Sequence, residues 1–152
     1  MGEASGRGNE RWSWRTPPVL LVVSAAIMPL SFATWQSLLN NFVIERAAFG
    51  GEEIGLLQSL REVPGFLAFL VVYLLLFVCE QRLALISLAV AGVGTALTGY
   101  FPSVVGLYIT TVVMSLGFHY FETAQSSLAL QWFPRDRAAE WMGRLIASRG
   151  VG

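Results

Sequence analysis

From Val19 to Asn40 the chain carries no formal charge, and three further long apolar runs follow, at about Ile54 to Cys79, Leu83 to Phe101 and Val104 to Trp132. A helix rises about 1.5 Å per residue, so ~20 apolar residues match the roughly 30 Å of hydrocarbon in a bilayer. A water-soluble domain of about 150 residues still exposes about a third of the surface its unfolded chain would show. Too little interior remains to hide four such runs. The sequence is 55% hydrophobic and 13% charged, against about 25% charged in an ordinary soluble domain. The expected fold class is therefore all-α: a polytopic transmembrane helix bundle with four full spans and the start of a fifth.

Residues 1–16 are polar, with Arg7, Arg11 and Arg15 set against Glu3 and Glu10, and read as a tail that meets the membrane at Trp12 and Trp14. Residues 17–152 form the expected transmembrane domain, with spans at about 18–41, 54–79, 83–101 and 104–132 and a truncated fifth from about 143. Pro17 and Pro18 suit the first turn of a helix, where a missing N–H costs nothing. The arginine-bearing start and the small-residue pattern Ser31-Phe32-Ala33 also fit a cleavable signal peptide. Three later spans and the length of the first favour a retained helix.

The polar stretch Phe42 to Glu53 and the tripeptide Glu80-Gln81-Arg82 read as connections, Ser103 as an N-cap and Pro134 as a stop. Ala89, Gly92, Ala96 and Gly99 offer small side chains for close helix packing in the third span. Seven arginines near span ends, Arg7, Arg11, Arg15, Arg82, Arg135, Arg137 and Arg144, fall on one side and only Arg46 on the other. Because basic loops stay inside, the N-terminus is expected to be cytoplasmic, in a plasma or inner membrane.

Formal net charge is zero, which gives no basic field for nucleic acid. Cys79 is the only cysteine and is expected on a helix surface, with neither a disulfide framework nor a zinc cluster around it. His119-x-x-Glu122 reverses the Glu-x-x-His order of di-iron bundles and lacks their companion carboxylates. No phosphate loop, nucleophile elbow or catalytic carboxylate pair occurs. Neither an enzyme nor a bound cofactor or metal is expected.

Polar groups within the spans carry the functional reading. Arg61 and Glu62 lie about 12 Å along the second span from Glu53. A charge at a span's centre costs about 2.5–3.5 kcal/mol on insertion scales, so both should face protein or a wet cavity. Adjacent residues point about 100° apart, so each is expected to find its partner on another helix; Gln58 shares a face with Glu62, and Pro64-Gly65 should loosen the helix beside them. In the fourth span Thr111, Ser115, His119, Glu122 and Ser126 follow helical spacing and form a polar stripe. A weaker stripe in the first span holds Ser24, Ser31, Thr34 and Asn41, with Trp35 beside it. The rival reading of these groups is structural: hydroxyls bonded to their own backbone, and a buried ion pair that locks helices together.

The run Gln131-Trp132-Phe133-Pro134-Arg135-Asp136-Arg137-Ala138-Ala139, followed by Met142-Gly143-Arg144-Leu145, resembles the loop between spans four and five of major facilitator superfamily transporters. The chain departs from that family at Glu80-Gln81-Arg82, a reduced form of its loop signature between spans two and three, and at Thr111, Met114 and Ser115, where a fourth-span arginine is usual. The resemblance implies part of a six-helix N-terminal half of a secondary transporter that moves a small solute by alternating access. It implies as partners the lipid bilayer, a small-molecule substrate of unknown identity and a missing C-terminal half, with no nucleic acid. Thr111, Ser115, His119, Glu122, Ser126, Thr34, Trp35 and Asn41 are then transport-pathway candidates, and Arg61, Glu62 and Gln58 candidates for gate or interhelix contacts. The alternative is a complete four-span protein that serves as a scaffold or assembly subunit.

Overall fold

The computed structural model describes residues 17–133 and 135–150. The expected tail with Trp12 and Trp14, and the stop at Pro134, lie outside the described residues. Helix α1 runs Pro17–Ala47, α2 Gly51–Phe66, α3 Val71–Leu74, α4 Glu80–Thr98, α5 Val104–Trp132 and α6 Ala138–Arg149. Short 3-10 turns at Leu67–Leu70 and Arg135–Arg137 complete the elements, and no strand occurs among the described residues.

Among the described residues four helical segments are long and apolar enough to cross a membrane: Val19–Ala47, Gly51–Leu74, Glu80–Thr98 and Val104–Trp132. Their outward faces are apolar as well, with Leu85, Val105, Ile109 and Leu130 all exposed. A soluble monomer rarely shows contiguous apolar surface on this scale, whereas lipid solvates it without penalty.

Several bounds differ from the hydropathy reading. Phe42 to Arg46 continue α1, and the connection shrinks to Ala48, Phe49 and Gly50, with Ala48 at φ 52°. Charged residues do not end a helix whose backbone bonds remain satisfied, so a drop in hydropathy marks the interface and not the helix end. Glu80-Gln81-Arg82 likewise open α4, while Leu75 to Cys79 make the turn. Cys79 is therefore the N-cap of α4, exposed but not on a helix surface. Ser103 caps α5 as expected, its hydroxyl accepting the Gly106 N–H at 3.2 Å.

Between Gly51 and Leu74 the helix is discontinuous: α2 ends at Phe66, a 3-10 turn follows, and α3 is a single turn. Pro64 sits in the last turn of α2, where it donates no backbone hydrogen bond. The 3-10 stretch begins three residues later, at Leu67.

Helix α5 is the hub. It packs on α4 along most of its length, on α2 and on α1, while α6 packs back on α1. The α4–α5 contact is a glycine seam: a Cβ on Gly94 would lie 2.5 Å from the Met114 backbone nitrogen, and one on Gly117 would lie 2.5 Å from the Ser87 carbonyl oxygen. The buried face of α4 is Ser87, Ala91, Gly94 and Thr98. Ala89, Gly92, Ala96 and Gly99, expected to make the close contact, are all exposed, and nothing lies within 4 Å of a Cβ built on Gly92 or Gly99. Both sets repeat at helical spacing, and the one that holds Ser87, Ala91 and Gly94 is the one that meets Met114 and Gly117 of α5.

Two apolar clusters flank the middle of the bundle. One joins Leu21, Ala25, Leu83, Phe121 and Leu128 to Trp141 and Leu145 of α6. The other joins Trp35, Leu39, Val43, Phe49 and Leu57 to Leu107 and Met114.

Candidate functional site

Arg61 leaves α2 at the level of Ser115, about 16 Å along α5 from Val104. Its guanidinium donates to Glu62 Oε1 through Nη2 at 2.7 Å and Nε at 3.0 Å. The expectation that these neighbours do not pair is thus corrected. Both side chains are long, and Arg61 reaches round the helix to a carboxylate that remains half exposed. The interhelix partner is real too, since Nη1 donates to Gln36 Oε1 on α1. Phe32 of α1 lies under the guanidinium, with its ring centroid 5.5 Å from Cζ.

From Gln36 the network continues. Gln36 Nε2 donates to Gln58 Oε1 at 3.2 Å, and Gln58 Nε2 donates to Asn40 Oδ1 at 3.4 Å. Gln36 and Asn40 were missing from the sequence reading. Their signal was present as two amides one turn apart in an apolar run, which place a polar edge on one helix face.

Helix α5 also packs on α2. Ser115 Oγ donates to the Arg61 carbonyl oxygen, and Tyr120 Oη to the Leu67 carbonyl oxygen at 3.5 Å. The His119 ring lies over Gly65, where an added Cβ would meet its Cε1 and Nε2 at 3.2 Å. Two side chains of α5 thus hydrogen-bond to backbone carbonyls of the second span, one at Arg61 within α2 and one at Leu67 where the 3-10 turn begins, and His119 packs on Gly65 between them.

The fourth-span stripe does not act as one surface. Thr111 and Ser115 are fully buried, and Ser115 faces α2. Glu122 borders a small gap beside Met28 and Pro29 of α1, and Ser126 Oγ donates to the Glu122 carbonyl oxygen at 2.9 Å. Gln125, which the sequence reading passed over, is 2% exposed and donates to the Leu21 carbonyl oxygen at 3.2 Å and to Ser24 Oγ at 2.7 Å. Ser24 therefore belongs to the α1–α5 contact and leaves the first-span stripe.

Ser31, Thr34, Trp35 and Asn41 do come together. They line a cleft of about 830 Å³ between α1 and α4, closed opposite by Thr95, Thr98 and Gly99. Two further clefts of about 400 and 470 Å³ continue along the same seam toward Gln81. Helix α5 supplies their floor with Met114, Phe118, Phe121 and Leu128.

Among the described residues two buried side-chain polar atoms have no hydrogen-bond partner: the Trp35 indole Nε1–H and the Thr111 hydroxyl. Leaving such a group unpaired in an apolar surrounding costs about 1–3 kcal/mol. Thr95 and Thr98 avoid that cost by donating to the carbonyl oxygens of Ala91 and Gly94.

No group of three or more His, Cys, Asp or Glu side chains able to hold a metal ion occurs among the described residues. The chain matches none of the protein-family models, curated proteins or solved structures with which it was compared.

Proposed function

We propose that this chain is part of a facilitator-type secondary transporter for a small solute, with the layout of the N-terminal half of a major facilitator superfamily protein and its N-terminus in the cytoplasm. The observation that carries the reading is the Arg61–Glu62 pair. A guanidinium is held at mid-span, joined to α1 through Gln36 and to α5 through its own carbonyl oxygen. Charge at this depth is costly, and in transport proteins it marks pathways and gates. The break in the helix after Phe66 supports the reading, because interrupted spans are where such proteins place sites and hinges.

In this mechanism the Arg61 contacts to Gln36 and Glu62 break and reform as α2 moves against α1. His119 and Glu122 contribute to the pathway from α5. The test is net flux of a labelled solute panel through proteoliposomes that hold the protein expressed from its complete reading frame. Arg61→Ala and Glu122→Gln should each lower flux at least tenfold while membrane insertion is kept. Wild-type flux in both variants would remove the functional claim on these residues. Reporter fusions at the two ends of α1 test the orientation.

A second reading, as a scaffold or assembly subunit, draws on the open seam between α1 and α4, which a helix of another membrane protein would fit. Recovery of one stoichiometric partner after crosslinking at Gly92 would favour it.

A further inference from the structure

The two members of the Arg61–Glu62 pair are not held alike. Arg61 is fixed from several directions: Nη1 donates to Gln36 Oε1, the Phe32 ring centroid lies 5.5 Å from Cζ, and Ser115 bonds the Arg61 carbonyl oxygen. Gln36 is itself tied through Gln58 to Asn40. Glu62 has no such support. Among the described residues Arg61 supplies the only hydrogen bonds of its side chain, which is 54% exposed against 20% for Arg61. When the pair opens, the guanidinium therefore stays and the carboxylate leaves, so the position that remains is cationic.

Glu62 also fills the guanidinium fork poorly. As the next residue along the helix it offers Oε1 alone, to Nε at 3.0 Å and to Nη2 at 2.7 Å. One N–H on each of Nη1 and Nη2 has no acceptor among the described residues. An untethered carboxylate engages a guanidinium with both oxygens, which is the stronger arrangement. Both residues belong to α2, so a shift of α2 against α1 carries them together, and opening this pair calls for a group that takes the place of Glu62. Phe66, one turn beyond Glu62 on the same face, is apolar and exposed.

We infer that Glu62 is a tethered stand-in for the solute, and that the solute is a small organic carboxylate whose head takes Arg61 with two oxygens while its apolar body lies along Phe66. The inference names the solute class of the proposed transporter and rests on that reading. Exchange of one carboxylate for another keeps the mid-span guanidinium paired, where an unpaired charge is costly. The solute therefore gains little over Glu62 and leaves readily, as turnover requires. Glu62, once displaced, turns toward the exposed side of α2, which the transport reading makes the solute's path.

Benzoate, benzamide and benzylamine are the probes, because they share one ring and are anionic, neutral and cationic at neutral pH. With the protein expressed from its complete reading frame, labelled benzoate should bind saturably in detergent, and neither benzamide nor benzylamine should displace it. Glu62→Gln keeps the shape and removes the competing charge, and should lower the half-saturating benzoate concentration about tenfold. Misfolding cannot produce that gain. Arg61→Gln should abolish saturable binding, and Arg61→Lys, which keeps the charge without the fork, should weaken it about tenfold. In proteoliposomes Glu62→Gln should lower the half-saturating concentration and the maximal benzoate flux together, because a solute without a competitor leaves slowly.

Absence of saturable benzoate binding would overturn the inference. So would binding that Glu62→Gln leaves unchanged or weakens, or benzylamine taking the place of benzoate. Benzoate binding that depends on Arg61 in a protein that moves no solute would keep the site and remove the transport reading. Flux of a neutral or cationic solute without benzoate binding would do the reverse.

Discussion

At the scale of single residues, the bundle separates polar groups that are partnered from those that are not. Ser115, Gln125 and Gln58 each bridge two helices, and their bonds offset the burial of Ser115 and Gln125 and the partial burial of Gln58. Thr111 does not. Its side chain is fully buried and its hydroxyl is unpaired, although a helical threonine can usually reach the carbonyl one turn back. Thr111→Val removes an unsatisfied group at nearly constant shape and should leave thermal stability in detergent unchanged or raise it by up to about 1 kcal/mol. A loss above that size would show that the hydroxyl has a partner in the membrane. Sequence spacing placed Thr111 on a stripe with Ser115 and His119, but could not tell a bonded member from an unbonded one, because that depends on the carbonyls of α2.

At the scale of elements, the glycine seam between α4 and α5 sets how closely two helices approach. Gly117→Ala inserts a methyl group against the backbone of Ser87 and Ala91 and should destabilise the pair by about 1–3 kcal/mol. Gly92→Ala on the neighbouring face has open space and should cost nothing, or gain slightly from helix propensity. Equal effects in detergent melting would contradict the seam. Helix α4 carries two small-residue faces, and a single sequence does not reveal its rotation; that is why the wrong face was expected to make the contact.

Helix α6 opens with a charged cluster, in which Glu140 accepts from Arg137 Nε at 3.0 Å and pairs with Arg144 Nη2 at 2.7 Å. Its hydrogen bonds to Arg137 hold the Glu140 carboxyl below the ordinary carboxylate value, more than desolvation raises it. A depressed carboxyl stabilises the fold above its unfolded value and ceases to do so as pH falls through its folded value. A spin label at Gly143 should therefore gain mobility only as pH drops below the ordinary carboxylate value of 4.5, and Glu140→Gln should abolish that step. A step near neutrality would assign the change to another group.

At the scale of the whole molecule, four apolar spans are legible in the sequence alone, because the length of an apolar run is a direct measure of what lipid can solvate. The arrangement around α5 was not legible. Gln36 and Asn40 are dilute polar residues within an apolar run, and hydropathy discards the helix face on which they lie. The α1–α4 cleft was legible in part, since the Ser31, Thr34 and Asn41 spacing marked its wall on α1, but the facing Thr95 and Thr98 drew no notice.

Every functional statement depends on hydrocarbon being the solvent of these helices. Spin labels at Leu85, Ile109 and Leu130, each exposed on a different part of the bundle surface, test it in liposomes with the lone cysteine replaced by serine. The account predicts high accessibility to oxygen and low accessibility to a water-soluble nickel chelate at Leu85 and Ile109, with Leu130 intermediate near the end of α5. High nickel accessibility at Leu85 and Ile109 would place those faces in water and contradict it.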